Sequence, residues 1–172
     1  GPDLIITQAQ CDVCAVRYQD VVSLLESNPS LTTVVLPLNP STLEDILADI
    51  VQVGTATGCT EEAEQLVSRL EERMLAIQQQ VMGKPKPRVA CIEWTEPMML
   101  AGNWVPDLIS MAGGESLLAD AGTESVYRSW QEVVELDPEV IVIAPCGFDL
   151  ERSRHEARGL PGWEHWGELT AV

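Results

Sequence analysis

Residues 91–114 read CIEWTEPMMLAGNWVPDLISMAGG. The stretch opens as a strand, breaks at a polar and aromatic turn, and re-enters as a helix that stops at Gly113-Gly114. The strand, Arg88-Val89-Ala90-Cys91-Ile92, is a short apolar run behind a proline-rich entry, as suits a buried parallel strand. In an open α/β sheet, ligands sit in the crevice beyond the carboxyl ends of the strands. Glu93, Trp94, Pro97, Met98, Asn103 and Trp104 are expected at such a place. Two Trp and two Met supply apolar surface there, with Glu93 and Asn103 as polar anchors. The same tryptophans would also serve as core filling between strand and helix.

Working outward, strands and helices alternate. Leu4–Thr7 reads as a strand. Cys14–Leu25 reads as a helix with Val16, Val21, Leu24 and Leu25 apolar, ended by Asn28-Pro29. Leu31–Leu36 is a β-branched strand closed by Pro37. Ser41, with Glu44 three residues on, predicts a capping box for a helix over Thr42–Val53, and Gly54 and Gly58 close the unit. Thr60 caps a long helix over 60–82, with Glu61 and Glu62 at the positive end of its dipole. Its stripe of Ala63, Leu66, Val67, Leu70, Met74, Ile77 and Val81 marks one face. Gly83 stops it and Lys84-Pro85-Lys86-Pro87 is a stiff exit. At about 1.5 Å per residue the helix is roughly 33 Å long.

Past the quoted stretch, short helices are expected over Val105–Ala112 and Leu117–Ala119. Ser129 and Glu132 predict a second capping box for a helix over 129–136. Strand Val140–Ala144 follows, then a helix over Phe148–Ala157 along which Arg152, Arg154 and Arg158 cluster. Those arginines would pair with nearby acids or meet an anionic ligand. Trp163 and Trp166 lie in a loop or short helix and are expected to pack.

The chain carries 27 acidic against 10 basic residues, a net charge of −17. That excludes a nucleic-acid partner, whose phosphates demand a basic footprint, and disfavours anionic membrane surfaces. It suits docking to a basic partner, or simply a soluble acidic surface. No apolar run approaches the ~18 residues of a membrane span.

Five cysteines, Cys11, Cys14, Cys59, Cys91 and Cys146, do not describe a closed disulfide framework. Cys91 lies in an apolar strand and reads as a small buried hydrophobe. Cys11 and Cys14 form a CxxC with three readings: a redox dithiol, half a metal site, or two residues at a helix start. Zinc would need two further ligands at short spacing, and His155 and His165 are far away in sequence. No metal or cofactor is therefore expected.

Four segments in order carry a family resemblance: Pro2-Asp3 before the strand ending at Thr7, the helix 60–82, the strand–Glu93-Trp94–AGNWVPDLISMAGG unit, and Asp137-Pro138 before the strand ending at Ile143. The chain resembles periplasmic solute-binding proteins of the helical-backbone class, which deliver vitamin B12, iron–siderophore complexes or haem to ABC importers. Residues 8–14, the Glu93-Trp94 turn and Pro145-Cys146-Gly147-Phe148-Asp149 resemble the cobalamin-binding branch most.

The resemblance implies an α/β fold: two Rossmann-like lobes with parallel sheets, joined by one long helix. It divides the chain into a partial amino-terminal lobe (1–58), a linking helix (59–83) and a partial carboxyl-terminal lobe (84–172). It leads to the expectation of a leader and two or more βα units before Pro2, and of a strand and helix after Val172. On that expectation the chain is an internal fragment, and its uncovered sheet edges and apolar faces imply self-association as a dimer.

Two functional classes follow. In the first, the chain is an extracytoplasmic, non-enzymatic binding module for a corrinoid or iron chelate, with the membrane subunits of an ABC importer as partner. Its contacts are Gln8, Gln10, Cys11, Asp12, Glu93, Trp94, Pro97, Met98, Asn103, Trp104, Cys146 and Phe148. In the second it is a thiol enzyme or soft-metal carrier using Cys11, Cys14 and Cys146. The chain departs from well-known cobalamin binders in having Gln8 where they carry Trp, and Cys14 where they carry a docking Glu.

Overall fold

The computed structural model describes residues 1–10, 16–117, 119–161 and 163. The expected Cys11, Asp12 and Cys14 positions, and Trp166, lie outside them. Two compact units divide within the long helix: residues 1–76 and 77–172.

In the first unit, β1 (Leu4–Gln8) and β2 (Val34–Leu38) pair in parallel, Leu4 against Val34 through Gln8 against Leu38. Helix α1 (Tyr18–Glu26) connects them. Pro37, expected to end β2, lies inside it, opposite Thr7. Among the described residues β2 pairs only with β1, and an edge strand tolerates the missing donor. Helix α2 (Leu43–Thr57) has its capping box one residue later than expected. Thr42 accepts from the Asp45 amide, and Asp45 accepts from the amides of Ser41 and Thr42 at 3.0 and 2.8 Å. Gly54 does not stop α2. It sits inside the helix because a Cβ there would lie 2.3 Å from that of Ala63, so its bare backbone admits α3 (Thr60–Val81). Gly58, at φ +75°, makes the left-handed turn that does stop it.

The second unit is built around β3, which runs from Arg88 to Thr95, three residues past the expected end. Alternate carbonyls serve its two neighbours. Those of Arg88 and Ile92 accept from Glu139 and Ala144, which flank β7 (Val140–Ile143). Those of Val89 and Cys91 accept from Leu117 and Ala101 on the other edge. There β5 (Glu115–Ser116) runs parallel to the start of β3, and β4 (Met98–Leu100) runs antiparallel to its end. Strand β6 (Val126–Tyr127) extends the sheet antiparallel to β4.

The expected parallel sheet is thus mixed. A two-residue turn, Glu96-Pro97, folds the chain back on itself where the sequence had suggested a direct passage into helix α4 (Val105–Met111). The expected helix at 117–119 is absent at Leu117 and Ala119, and Glu115-Ser116 is a strand instead, hydrogen-bonded to β3.

Val89, Ala90, Cys91 and Ile92 are all buried, so this part of β3 is covered on both faces. One face holds the main core of Ala90, Ile92, Met98, Leu100, Val133 and Leu160. Helix α5 (Trp130–Glu135) brings Val133 to it, held at its start by the Ser129–Glu132 capping box. On the other face Gly114 packs against Val89 and Ile109, where a Cβ would lie 2.8 and 3.0 Å from their methyl groups. Helix α6 (Leu150–Ala157) is capped by Asp149, whose carboxylate accepts from the Arg152 amide at 2.8 Å.

Candidate functional site

The site begins with one extra residue. Ile92 pairs with Leu100 and Trp94 with Met99, so Glu93 opposes no residue of β4 and forms a bulge. Strand side chains alternate with period two, and an unbroken strand would put residue 94 on the face of Ile92, in the core. The bulge reverses that. Trp94 is 36% exposed, while Thr95 takes the inward position at 9%. On β4, Met99 pairs outward with Trp94 and Tyr127, and Leu100 and Met98 point inward.

Trp94 is then met by the turn after β7. The Cys146 amide donates to the Glu93 carbonyl at 3.2 Å, which pins that turn to the bulge. Gly147, at φ +76°, carries the chain round, and the Phe148 amide donates back to Pro145 at 3.2 Å. The Phe148 ring comes to lie 5.2 Å from that of Trp94 at 56°, a favourable tilted aromatic pair. The Trp94 indole N–H donates to the Glu96 carbonyl at 3.0 Å, which fixes the ring's orientation. On Phe148 lies the Arg152 guanidinium, its Cζ 3.5 Å from the ring centre. The structure therefore brings together Glu93, Trp94, Cys146 and Phe148 at the carboxyl ends of adjacent parallel strands, and adds Arg152.

Met98, expected as a contact, belongs largely to the core and also borders the depression beside Pro97. Its side chain packs with Ile92, Leu100 and Val133 and is 9% exposed, because β4 has folded back and pointed it inward. Pro97 borders an open depression of about 370 Å³ with Tyr127, Arg128, Ser129 and Glu132. Asn103, at φ +52°, is held by its backbone: its amide donates to Thr123 and its carbonyl accepts from Gly122. Trp104 is half-buried at the start of α4. In the first unit, Gln8 ends β1 and accepts from the Gln10 amide at 2.9 Å. The Gln10 side chain donates to the Pro40 carbonyl at 2.7 Å and so ties the exits of β1 and β2.

The thiols differ sharply. Burial, and then the charge of Glu93, push Cys91 up to about 11, so it stays a neutral apolar side chain. Cys59 and Cys146 are exposed. Among the described residues no cluster of three His, Cys, Asp or Glu side chains could hold a metal, and no helix is long and apolar enough to cross a membrane.

A model of the periplasmic binding protein family matches residues 1–172. The chain belongs to that family. No curated protein matches it. Solved structures of the same fold include an ABC transporter substrate-binding protein of Listeria monocytogenes (18% identical, TM-score 0.69, covering 96% of this chain and 63% of that one). A periplasmic vitamin B12 binding protein of Vibrio cholerae matches at 19% identity and TM-score 0.65, over 96% of this chain and 59% of that one. A periplasmic heme binding protein of Pseudomonas aeruginosa matches at 18% and 0.71, over 94% and 58%. This periplasmic binding protein chain thus spans about three-fifths of the length of the structures it resembles.

Arg152 is the functional candidate that sequence reasoning undervalued. It entered as one of three clustered arginines, yet among the described residues it is the one whose guanidinium lies on an aromatic ring. The available signal was its spacing: Phe148 and Arg152 stand four residues apart, with Asp149 as a strong helix start between them.

Proposed function

We propose that this chain binds a corrinoid or an iron chelate outside the cytoplasm and presents it to the membrane subunits of an ABC importer, without chemistry on the solute. The observation that carries the reading is the bulge at Glu93. It turns a tryptophan out of the core and against Phe148, in a chain of the periplasmic binding protein family. An exposed tryptophan braced by a half-buried phenylalanine suits a large flat solute, because stacking needs area and little side-chain ordering. Glu93, Asn103, Trp104 and Cys146 in the second unit, and Gln8 and Gln10 in the first, remain proposed contacts. The division into lobes at 1–58 and 84–172 with a linking helix at 59–83 is proposed with them. Self-association as a dimer is a separate expectation, which sedimentation at several concentrations decides.

The test is tryptophan quenching of the whole chain by cyanocobalamin, haemin and a ferric hydroxamate siderophore. At least one should bind. Trp94→Ala should weaken that binding about tenfold or more, while costing less than the ~3–5 kcal/mol of a buried Trp. Met98→Ala should do the opposite, losing about 2–3 kcal/mol of stability with affinity unchanged. Failure of every solute to bind, together with thiol-dependent turnover, would sink the proposal.

A further inference from the structure

Among the described residues, Arg152 is the cation whose guanidinium lies on an aromatic ring. Arg88 pairs with Asp137 at 2.9 Å and Glu139 at 3.7 Å, and Arg128 with Glu132 at 3.9 Å. Among the described residues Arg152 has no carboxylate partner, a state it shares with Lys84, Lys86, Arg154 and Arg158, so its ring contact is what sets it apart. It lies on the Phe148 ring, 3.5 Å from its centre, and Phe148 in turn meets Trp94. The backbone beneath is fixed at both ends. The Arg152 amide donates to Asp149, and the Cys146 amide donates to the Glu93 carbonyl at the bulge of β3.

A guanidinium stacked by its face keeps its N–H edge available, and that edge is a planar fork matched to carboxylate or phosphate oxygens. Stacking also restricts the long side chain before any ligand arrives, so less freedom is lost on binding. The residue is exposed, so its charge attracts without having been desolvated for the purpose.

We infer that Arg152 is a specificity residue: held on the Phe148 ring, it reads an oxyanion on the rim of a flat macrocyclic solute whose face lies against Trp94. This rests on the function proposed above and narrows its solute class. A flat solute without an anionic rim would keep the aromatic contact and lose the Arg152 contact. Two kinds of rim share this chemistry, the carboxylates of a porphyrin and the phosphodiester of a complete corrinoid.

The experiment pairs each anionic probe with an analogue lacking the anion: haemin with its dimethyl ester, and cyanocobalamin with dicyanocobinamide. Affinity of the whole chain is measured by tryptophan quenching at low and high salt. In at least one pair the anionic probe should bind about tenfold more tightly, with an advantage that shrinks as salt rises. The pair that shows it names the source of the oxyanion. Arg152→Gln should abolish the advantage and leave the analogue's affinity unchanged. Arg152→Lys should keep part of it, as a charge without the fork. Phe148→Leu should weaken both members of the pair and lower the advantage. If the wild-type chain binds the members of each pair equally, or Arg152→Gln leaves their ratio unchanged, the inference is overturned while solute binding stands. If no probe of either pair binds, the inference is overturned, and the proposed function then rests on the ferric siderophore alone.

Discussion

The two units solve the burial of a parallel strand differently. In the second, β3 has neighbours on both edges and cover on both faces, with Ile92 and Leu100 almost fully enclosed. In the first, β1 pairs with one strand among the described residues, and Ile6, Leu24, Leu31 and Val34 stay substantially exposed. Among the described residues its buried apolar side chains are Pro40, Leu43 and Ala63, and none of them lies on a strand. A sheet of two strands is marginal by itself, whereas a central strand with a closed core is not. The contrast teaches where a recognition surface can be rigid. The aromatic pair rests on the strand whose burial is most complete.

The largest expected effect breaks the contrast directly. Ile92→Ala removes a fully enclosed side chain and should cost about 2–5 kcal/mol. Ile6→Ala, at a position 41% exposed, should cost about 1 kcal/mol or less. All five tryptophans lie beyond residue 76, so tryptophan fluorescence follows the second unit while far-ultraviolet dichroism follows both. In urea the dichroism should begin to fall before the fluorescence changes. Ile92→Ala should shift the fluorescence transition and Ile6→Ala only the earlier phase. Coincident wild-type transitions would mean that the units unfold as one.

A smaller effect sharpens the comparison at two glycines. A Cβ on Gly54 would press on Ala63 at 2.3 Å, and one on Gly102 would meet the Thr123 carbonyl at 2.4 Å. Each Gly→Ala change should cost about 1–3 kcal/mol through overpacking. Gly54→Ala should act on the early phase. Gly102→Ala should act on the fluorescence transition and alter emission, since it displaces the loop carrying Trp104. Gly58→Ala has open space and strains only its own left-handed turn, so it should cost less, which the same titration checks.

The smallest effect is acid dependence at the caps. The amides of Ser41 and Thr42, followed by the hydroxyls of those residues, hold Asp45 down to about 2. The Ser129 amide lowers Glu132 in the second unit. A carboxyl whose folded pKa is depressed stabilises the fold above its unfolded value near 4, and that contribution disappears as pH falls through the folded value. The Asp45 contribution should therefore be whole above about pH 4 and lost toward pH 2. Asp45→Asn should flatten the acid limb of the dichroism curve and leave the fluorescence limb, in which Glu132 takes part, unchanged.

Much of the fold was legible because its signals are local. The second capping box falls at Ser129 and Glu132 as expected, and the long helix runs over Thr60–Val81 against an expected 60–82. The first box moved by one residue because Ser41-Thr42 offers two adjacent hydroxyls and Glu44-Asp45 two adjacent carboxyls, and Thr42 with Asp45 is the pair that closes it. Gly54 read as a stop, since the sequence does not reveal that Ala63 will press against it. The hairpin at Glu96-Pro97 went unread because β4 is three residues long, too short for any period to show.

The sequence by itself determined the alternation of strands and helices, the acidic surface, the helix starts and the clustering of aromatic residues around β3. Those properties depend on each residue's own chemistry and on neighbours within a few positions. Only the tertiary structure decided which of those residues face outward. Trp94 is exposed and Met98 buried because Glu93 is bulged against β4, and Phe148 meets Trp94 because the turn after β7 is bonded to that bulge. One residue of register reverses every side chain beyond it, and register is set by pairing between strands rather than within them.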